Sequence, residues 1–353
     1  MPRCTICDHI VETRIPVDTN HLCALCYNRY AVECAECGNT TTQHICSRCM
    51  ENMFHCFICG RHRHNDEAID TELGPCCRSC VPRIRNCEIC DSMYVADGTS
   101  NSVCSSCLSE IIHYHDFQPP PKFLGRPAEL YFGVELEVEC PIGDRVRIAQ
   151  QILKAVNNSP LQYIYIVHDG SLSHGIEIVS QPATLDYHLQ EFPWSTILDT
   201  IIVNKCVVAP SCGLHVHASK AAITLAEQMR IQYFVYSQDI LFERLGRRSF
   251  NNYARYKNKS LSCYSLDQYS EDRYEAFNIT NDETVEFRMF RSTRELRVLR
   301  ATLELCDAVL SFARVTSFVQ LKDSRKARKL FLDHVGKCRY KNLITYMARR
   351  GIS

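Results

Sequence analysis

Tyr131-Phe132-Gly133-Val134-Glu135-Leu136-Glu137-Val138-Glu139 alternates strictly, with Val134, Leu136 and Val138 on one face and Glu135, Glu137 and Glu139 on the other. A period of two marks a strand buried on one side. One face belongs to a core, and the other is a row of carboxylates. Such a row ordinarily faces water, so its meaning depends on the strands beside it.

Three later stretches bear on this. Residues 164–171, Ile-Tyr-Ile-Val-His-Asp-Gly-Ser, end a strand at a turn, and residues 175–180, Gly-Ile-Glu-Ile-Val-Ser, place Glu177 between Ile176 and Ile178. Asp169 and Glu177 then lie on adjacent strands of a hairpin-like unit, close enough to share a cation. Residues 213–218, Gly-Leu-His-Val-His-Ala, set His215 and His217 opposite Leu214 and Val216. A paired His-x-His signals a metal or a phosphate, whereas a lone histidine in a strand reads as a satisfied core residue. Residues 284–290, Thr-Val-Glu-Phe-Arg-Met-Phe, send Glu286 and Arg288 to the face opposite Val285, Phe287 and Met289; a cross-strand ion pair is the plainer reading of those two. Helices are expected over 145–157, 222–245 and 293–315. The predicted fold is α+β, a largely antiparallel sheet with helices on one face and Glu135, Glu137, Glu177, His215, Glu286 and Arg288 on the other.

On the N-terminal side, residues 116–127 read Asp-Phe-Gln-Pro-Pro-Pro-Lys-Phe-Leu-Gly-Arg-Pro, a stiff proline-rich connector. Of the 23 cysteines, 17 precede residue 108. They form four successive units of Cys-x-x-Cys, spacer, Cys-x-x-Cys: Cys4/Cys7 with Cys23/Cys26, Cys34/Cys37 with Cys46/Cys49, Cys56/Cys59 with Cys77/Cys80, and Cys87/Cys90 with Cys104/Cys107. Two residues between thiolates make a tight knuckle that turns both sulfurs to one metal, and a second knuckle completes a tetrahedron. The expectation is four structural zinc ions in zinc-ribbon-like modules. A cross-braced pairing uses the same spacings, Cys76 can stand in for Cys77, and His44, His55, His62 or His64 for a cysteine; these alternatives stay open. A disulfide framework is disfavoured by the missing leader and the single cysteines downstream. Four thiolates leave no open coordination position, so such zinc is structural, and the region should not fold without it.

The expected organisation is a zinc-binding array over 1–110, a linker over 111–127, a catalytic domain over 128–320 and a basic helical extension over 321–353. Residues 1–110 carry nine arginines, no lysine and 14 acids, nine minus 14 giving −5, and the remainder is +5. Acidic zinc centres on an acidic region disfavour nucleic acid and favour a protein partner, a protein substrate or the second domain itself. With no run of ~18 apolar residues the chain reads as a cytoplasmic protein that does not span a membrane.

Four motifs in order, Phe-Gly-Val-Glu-Leu-Glu, the Asp169/Glu177 pair, Gly-Leu-His-Val-His and Thr-Val-Glu-Phe-Arg, resemble those of the amidoligases related to glutamine synthetase and glutamate-cysteine ligase, over residues 125–320. The resemblance implies a glutamine-synthetase-like sheet and an ATP- and magnesium-dependent ligase that joins a carboxylate to an amine through an acyl phosphate. It implies that Glu135, Glu137, Asp169, Glu177, His215 and Glu286 hold magnesium, and that His217 and Arg288 contact ATP phosphates. Glu137, Asp169 and Arg288 would be catalytic, joined by Arg255 from the basic run over 244–266. Asn278 is similar to a recurrent asparagine of the family, with a turn role as the alternative. Asp169 stands where glutamate is commoner, and Thr284 replaces an arginine. Two other readings compete: a zinc-scaffolded adaptor whose ligase-like domain is inactive, and a hydrolase built on His215 and His217, which lacks a third zinc ligand.

Overall fold

The computed structural model describes residues 2–88, 90–96, 102–157, 161–249, 254, 274–338 and 340–352. The chain divides into two compact units, Met1–Cys104 and Ser105–Ser353.

The first unit is a string of small cysteine-knuckle modules. Each first knuckle closes by the same turn: Asp8, Gly38, Gly60 and Asp91 donate N–H to the carbonyls of Cys4, Cys34, Cys56 and Cys87 at 2.9–3.0 Å, and all four have positive φ, from 56° to 72°. Glycine and aspartate tolerate that left-handed backbone, and their recurrence four residues after the first cysteine is a local signal in the sequence. Short antiparallel hairpins follow, such as Ile15–Val17 with Asn20–Leu22 and Met53–His55 with His62–His64. The second knuckle opens a helix at Ala24–Tyr30 and at Ser47–Met50. Hydrophobic cores are minimal and built on the thiols themselves: Val17 and Leu22 pack on Cys4 and Cys26, and Phe54, Phe57, Ile58, Val81 and Ile84 pack on Cys56, Cys76, Cys77 and Cys80. Asp18 ties the first two modules, accepting from the N–H of Ser47 at 2.8 Å, from its hydroxyl, and from Thr41 Oγ1 at 3.2 Å.

The second unit is built on one antiparallel sheet of strands β1 (Phe132–Glu139), β2 (Ile164–Val167), β3 (Gly175–Ser180), β4 (Gly213–Ser219), β5 (Phe277–Asn278) and β6 (Thr284–Arg291), in the order β2-β3-β1-β4-β6-β5. The alternation in β1 is realised: Val134, Leu136 and Val138 are fully buried, each contributing about 1.5–3 kcal/mol. Helix α1 (Arg145–Val156) packs on β2 and β3. The expected single helix over 222–245 is two, α2 (Leu225–Ser237) and α3 (Asp239–Gly246). Thr224 and Glu227 form a capping box that starts α2. Between them Gln238 leaves the helical region, at φ −121° and ψ 37°, its buried side chain donating to the Ser324 carbonyl at 2.8 Å. α4 (Leu296–Val315) begins three residues later than the periodicity suggested.

The C-terminal segment is part of this unit. Buried Glu304 of α4 accepts from Asn342 Nδ2 at 2.6 Å and from the Leu343 N–H at 2.7 Å, so a carboxylate from one helix caps the N-terminus of another, Lys341–Arg349. The proline-rich connector is also tied down. His113 exchanges backbone bonds with Ile166 and His168, and Leu124 donates to the Pro182 carbonyl.

His188 anchors the back of β1. Its Nε2 donates to the Phe132 carbonyl at 2.9 Å and its Nδ1 accepts from Trp194 Nε1 at 3.2 Å, an arrangement only the neutral ring can make. Burial lowers its pKa to about 4. The unfolded chain therefore binds this proton first, and stability that is complete above pH ~6.5 declines toward pH 4, by about 2 kcal/mol at pH 5. The chain's single tryptophan reports it: His188→Gln, whose amide offers a donor and an acceptor without a titrating proton, should flatten the acid limb of the urea midpoint, whereas parallel curves for variant and parent would remove His188 as the cause.

Candidate functional site

Strand register assembles the site. Glu137 lies opposite Glu177 and Glu135 opposite His215, while His217 and Asn278 both lie opposite Glu286. Directly paired residues share a face, so one polar row crosses β3, β1, β4, β6 and β5. It does not face water: Glu137, Glu177 and Glu286 are each 3% exposed.

Within the row, His215 Nδ1 is 3.0 Å from Glu135 Oε2 and 3.7 Å from Glu286 Oε1, and its Nε2 is 3.8 Å from Glu137 Oε1. His217 Nε2 pairs with Glu135 Oε1 at 3.0 Å. Glu137 Oε2 accepts the Gly213 N–H at 2.6 Å; a Cβ at Gly213 would fall 2.6 Å from His215 Nε2, so any side chain there would displace that ring. Asn278 Nδ2 donates to Glu286 Oε2 at 2.9 Å, and Arg288 Nη1 reaches Glu286 Oε1 at 2.5 Å.

The protonation pattern follows from crowding carboxylates and imidazoles on a buried face. Burial pushes Glu177 well above the usual carboxylate range, and the charges of Glu135, Glu137 and Asp169 add to it. Burial also raises Glu137, against the pull of His215. Burial would raise Glu135, yet His217 and His215 hold it well below the usual range. For His217 burial is outweighed by Glu135 and Glu286, which bring it up to about 9. Protons on Glu177 and His217 thus offset charge that a divalent ion, a natural guest for clustered carboxylates, would neutralise.

The structure brings together Glu135, Glu137, Glu177, His215, His217, Glu286 and Arg288, as their pattern predicted. Asp169 sits in the turn after β2 rather than on a strand, and its Oδ1 accepts the Ser171 N–H at 2.6 Å. Thr284 is turned to His217 Nδ1 at 3.0 Å. Arg288 pairs with Glu286 of its own strand. The alternation in β6 slips: Val216 pairs with Phe287 and Leu214 with Phe290, so three residues of β6 span two of β4. Arg255, with Lys257, Lys259 and Cys263, lies outside the described residues. One residue was missed. His115, in the expected linker, gathers with Asp169 and Glu177 so that one ligand atom of each lies within 4.8 Å of the others.

In the cysteine array the ligand atoms of Cys4, Cys7, Cys23 and Cys26 lie within 4.8 Å of one another, as do those of Cys34, Cys37, Cys46 and Cys49, of Cys56, Cys59, Cys77 and Cys80, and of Cys87, Cys90, Cys104 and Cys107. Sequential pairing is therefore the arrangement present. Cys76 is not in the third cluster; its buried thiol turns to the Cys77 carbonyl at 3.4 Å. Within the first cluster the N–H groups of Cys7 and Cys23 lower Cys4 to about 6, while burial and the neighbouring thiols raise Cys26 to about 12. Four thiolates at this separation need a cation, and a closed Cys4 set suits structural zinc.

A scan against protein-family models finds no match to this chain, and a search of curated proteins finds none either. Among the described residues no helix is long and apolar enough to cross a membrane.

Proposed function

We propose that the second unit is an ATP- and magnesium-dependent ligase that joins a carboxylate to an amine. The observation that carries this reading is the convergence of Glu135, Glu137, Glu177, His215 and Glu286 on one buried face, with Asp169 at its edge and Arg288 beside it. A fold that only binds a partner has no need to bury several carboxylates together at such electrostatic cost.

In this reading Glu135, His215 and Glu286 would hold one magnesium ion, and Glu137, Asp169 and Glu177 another. Magnesium supplies neutralisation of the nucleotide's phosphate charge. The substrate carboxylate attacks the γ-phosphorus of ATP, and ADP leaves with the electron pair of the broken P–O bond. The amine then attacks the acyl phosphate carbon, loses a proton and expels inorganic phosphate. Arg288 would place positive charge beside the transferring phosphoryl group, and His217 would contact its oxygens. Gly213 fixes the Glu137 carboxylate, and Asn278 fixes that of Glu286. The cysteine array, acidic and without lysine over residues 1–110, presents a protein substrate or partner.

ADP release measured on the zinc-loaded chain with magnesium, against pools of amino acids and of proteins, tests the reading. Stimulated release is expected with one pool. Silence across all pools, together with no magnesium binding by calorimetry, would leave an inactive ligase-like adaptor as the better description.

A further inference from the structure

Beyond the end of β6 lies a cavity of about 840 Å³ whose wall carries Arg244, Arg247, Arg248, Arg291, Arg294 and Arg350 against two acids, Glu243 and Glu295. Glu295 is already taken by Arg297, at 2.6 Å. Several of the arginines are held by main-chain carbonyls. Arg244 donates to the carbonyl of Arg350 at 2.6 Å, Arg247 to Ser292 at 3.0 Å, Arg291 to Val208 at 3.1 Å and Arg294 to Cys206 at 2.8 Å. A carbonyl orients a guanidinium without neutralising it. The Nε of Arg248 is buried and has no hydrogen-bond partner among the described residues. Four of these arginines, Arg244, Arg291, Arg294 and Arg350, are exposed and Arg247 and Arg248 are half-buried, and gathering six like charges on one wall costs stability unless an anion joins them.

The cavity adjoins the carboxylate row. Ser292, in its wall, donates its hydroxyl to the Glu137 carbonyl at 2.5 Å. Arg248 Nη1 lies 3.3 Å from where a Cβ on Gly213 would stand, and Gly213 is the residue that binds the Glu137 carboxylate. Its volume is that of a small-molecule site, too small for a folded protein or a duplex.

We propose that this cavity binds the anionic body of the carboxylate substrate, and that this substrate is a small polyanion carrying several closely spaced oxyanion charges. The assignment as substrate rests on the ligase reading; the binding itself does not. Phosphate and carboxylate oxygens share the required chemistry, and forked guanidinium groups accept either.

The test is calorimetric titration of the zinc-loaded full chain, without magnesium, with trimetaphosphate and with propane-1,2,3-tricarboxylate, using acetate as the monovalent control. At least one trianion is expected to bind with a Kd below about 1 mM, and acetate is not. The tighter trianion identifies the oxyanion type. Arg248→Gln and Arg291→Gln should each weaken it about tenfold or more, with Arg248→Lys retaining part of the affinity and Trp194 fluorescence showing that each variant is folded. Failure of both trianions to bind, or binding untouched by the glutamine variants, overturns the proposal. A chain that binds a trianion through these arginines, yet neither turns over ATP with any pool nor binds magnesium, sinks the ligase reading and leaves the anion site standing.

Discussion

Removing zinc from the full chain is expected to unfold the cysteine-rich unit outright while leaving Trp194 fluorescence and the second unit intact. The magnitude follows from what else holds that unit. Its buried apolar clusters are a handful of residues packed on thiols, whereas each structural zinc contributes an apparent ~10–16 kcal/mol. No core of that size compensates for the loss. Metal analysis of the purified chain should give close to four zinc ions, and two or fewer would defeat the four-site assignment. Cys77→Ser should cost one ion and Cys76→Ser none, since only Cys77 joins Cys56, Cys59 and Cys80.

Glu137→Gln is expected to lower ATP-dependent turnover by ~10²-fold or more, with little change in the thermal midpoint of the second unit. The amide oxygen of glutamine can still accept the Gly213 N–H that Glu137 Oε2 now accepts, so the local fold keeps its bond. What is lost is an anionic ligand for the proposed magnesium. Magnesium titration by calorimetry on the same variant separates the two effects: weakened magnesium binding with a native melt supports the assigned role. Unchanged turnover and unchanged magnesium affinity would refute it.

Much of this protein is legible in the chain because the deciding signals are local. A Cys-x-x-Cys knuckle closes within four residues, so its spacing alone announces the metal site, and the aspartate or glycine at positions 8, 38, 60 and 91 completes the turn. The period of two in Tyr131–Glu139 fixes which side chains leave the core together, because a strand has only two faces. The same rule placed His215, His217 and Glu286 on the polar face.

Other features depend on contacts between distant residues, and no local pattern carries them. The slip in β6 exists because Phe290 pairs with Leu214 from another strand, and the break at Gln238 accompanies a bond to Ser324, 86 residues away. His115 becomes a candidate ligand only when the connector lies along β2. The arginine cavity draws on α3, the end of β6 and residue 350, three places that share no spacing. The sequence by itself determined the cysteine knuckles and the two faces of the strands, since bond geometry and side-chain alternation act over a few residues. Tertiary structure alone decided that the carboxylates are buried beside an arginine-lined cavity, because burial and charge proximity are set by which remote elements pack together.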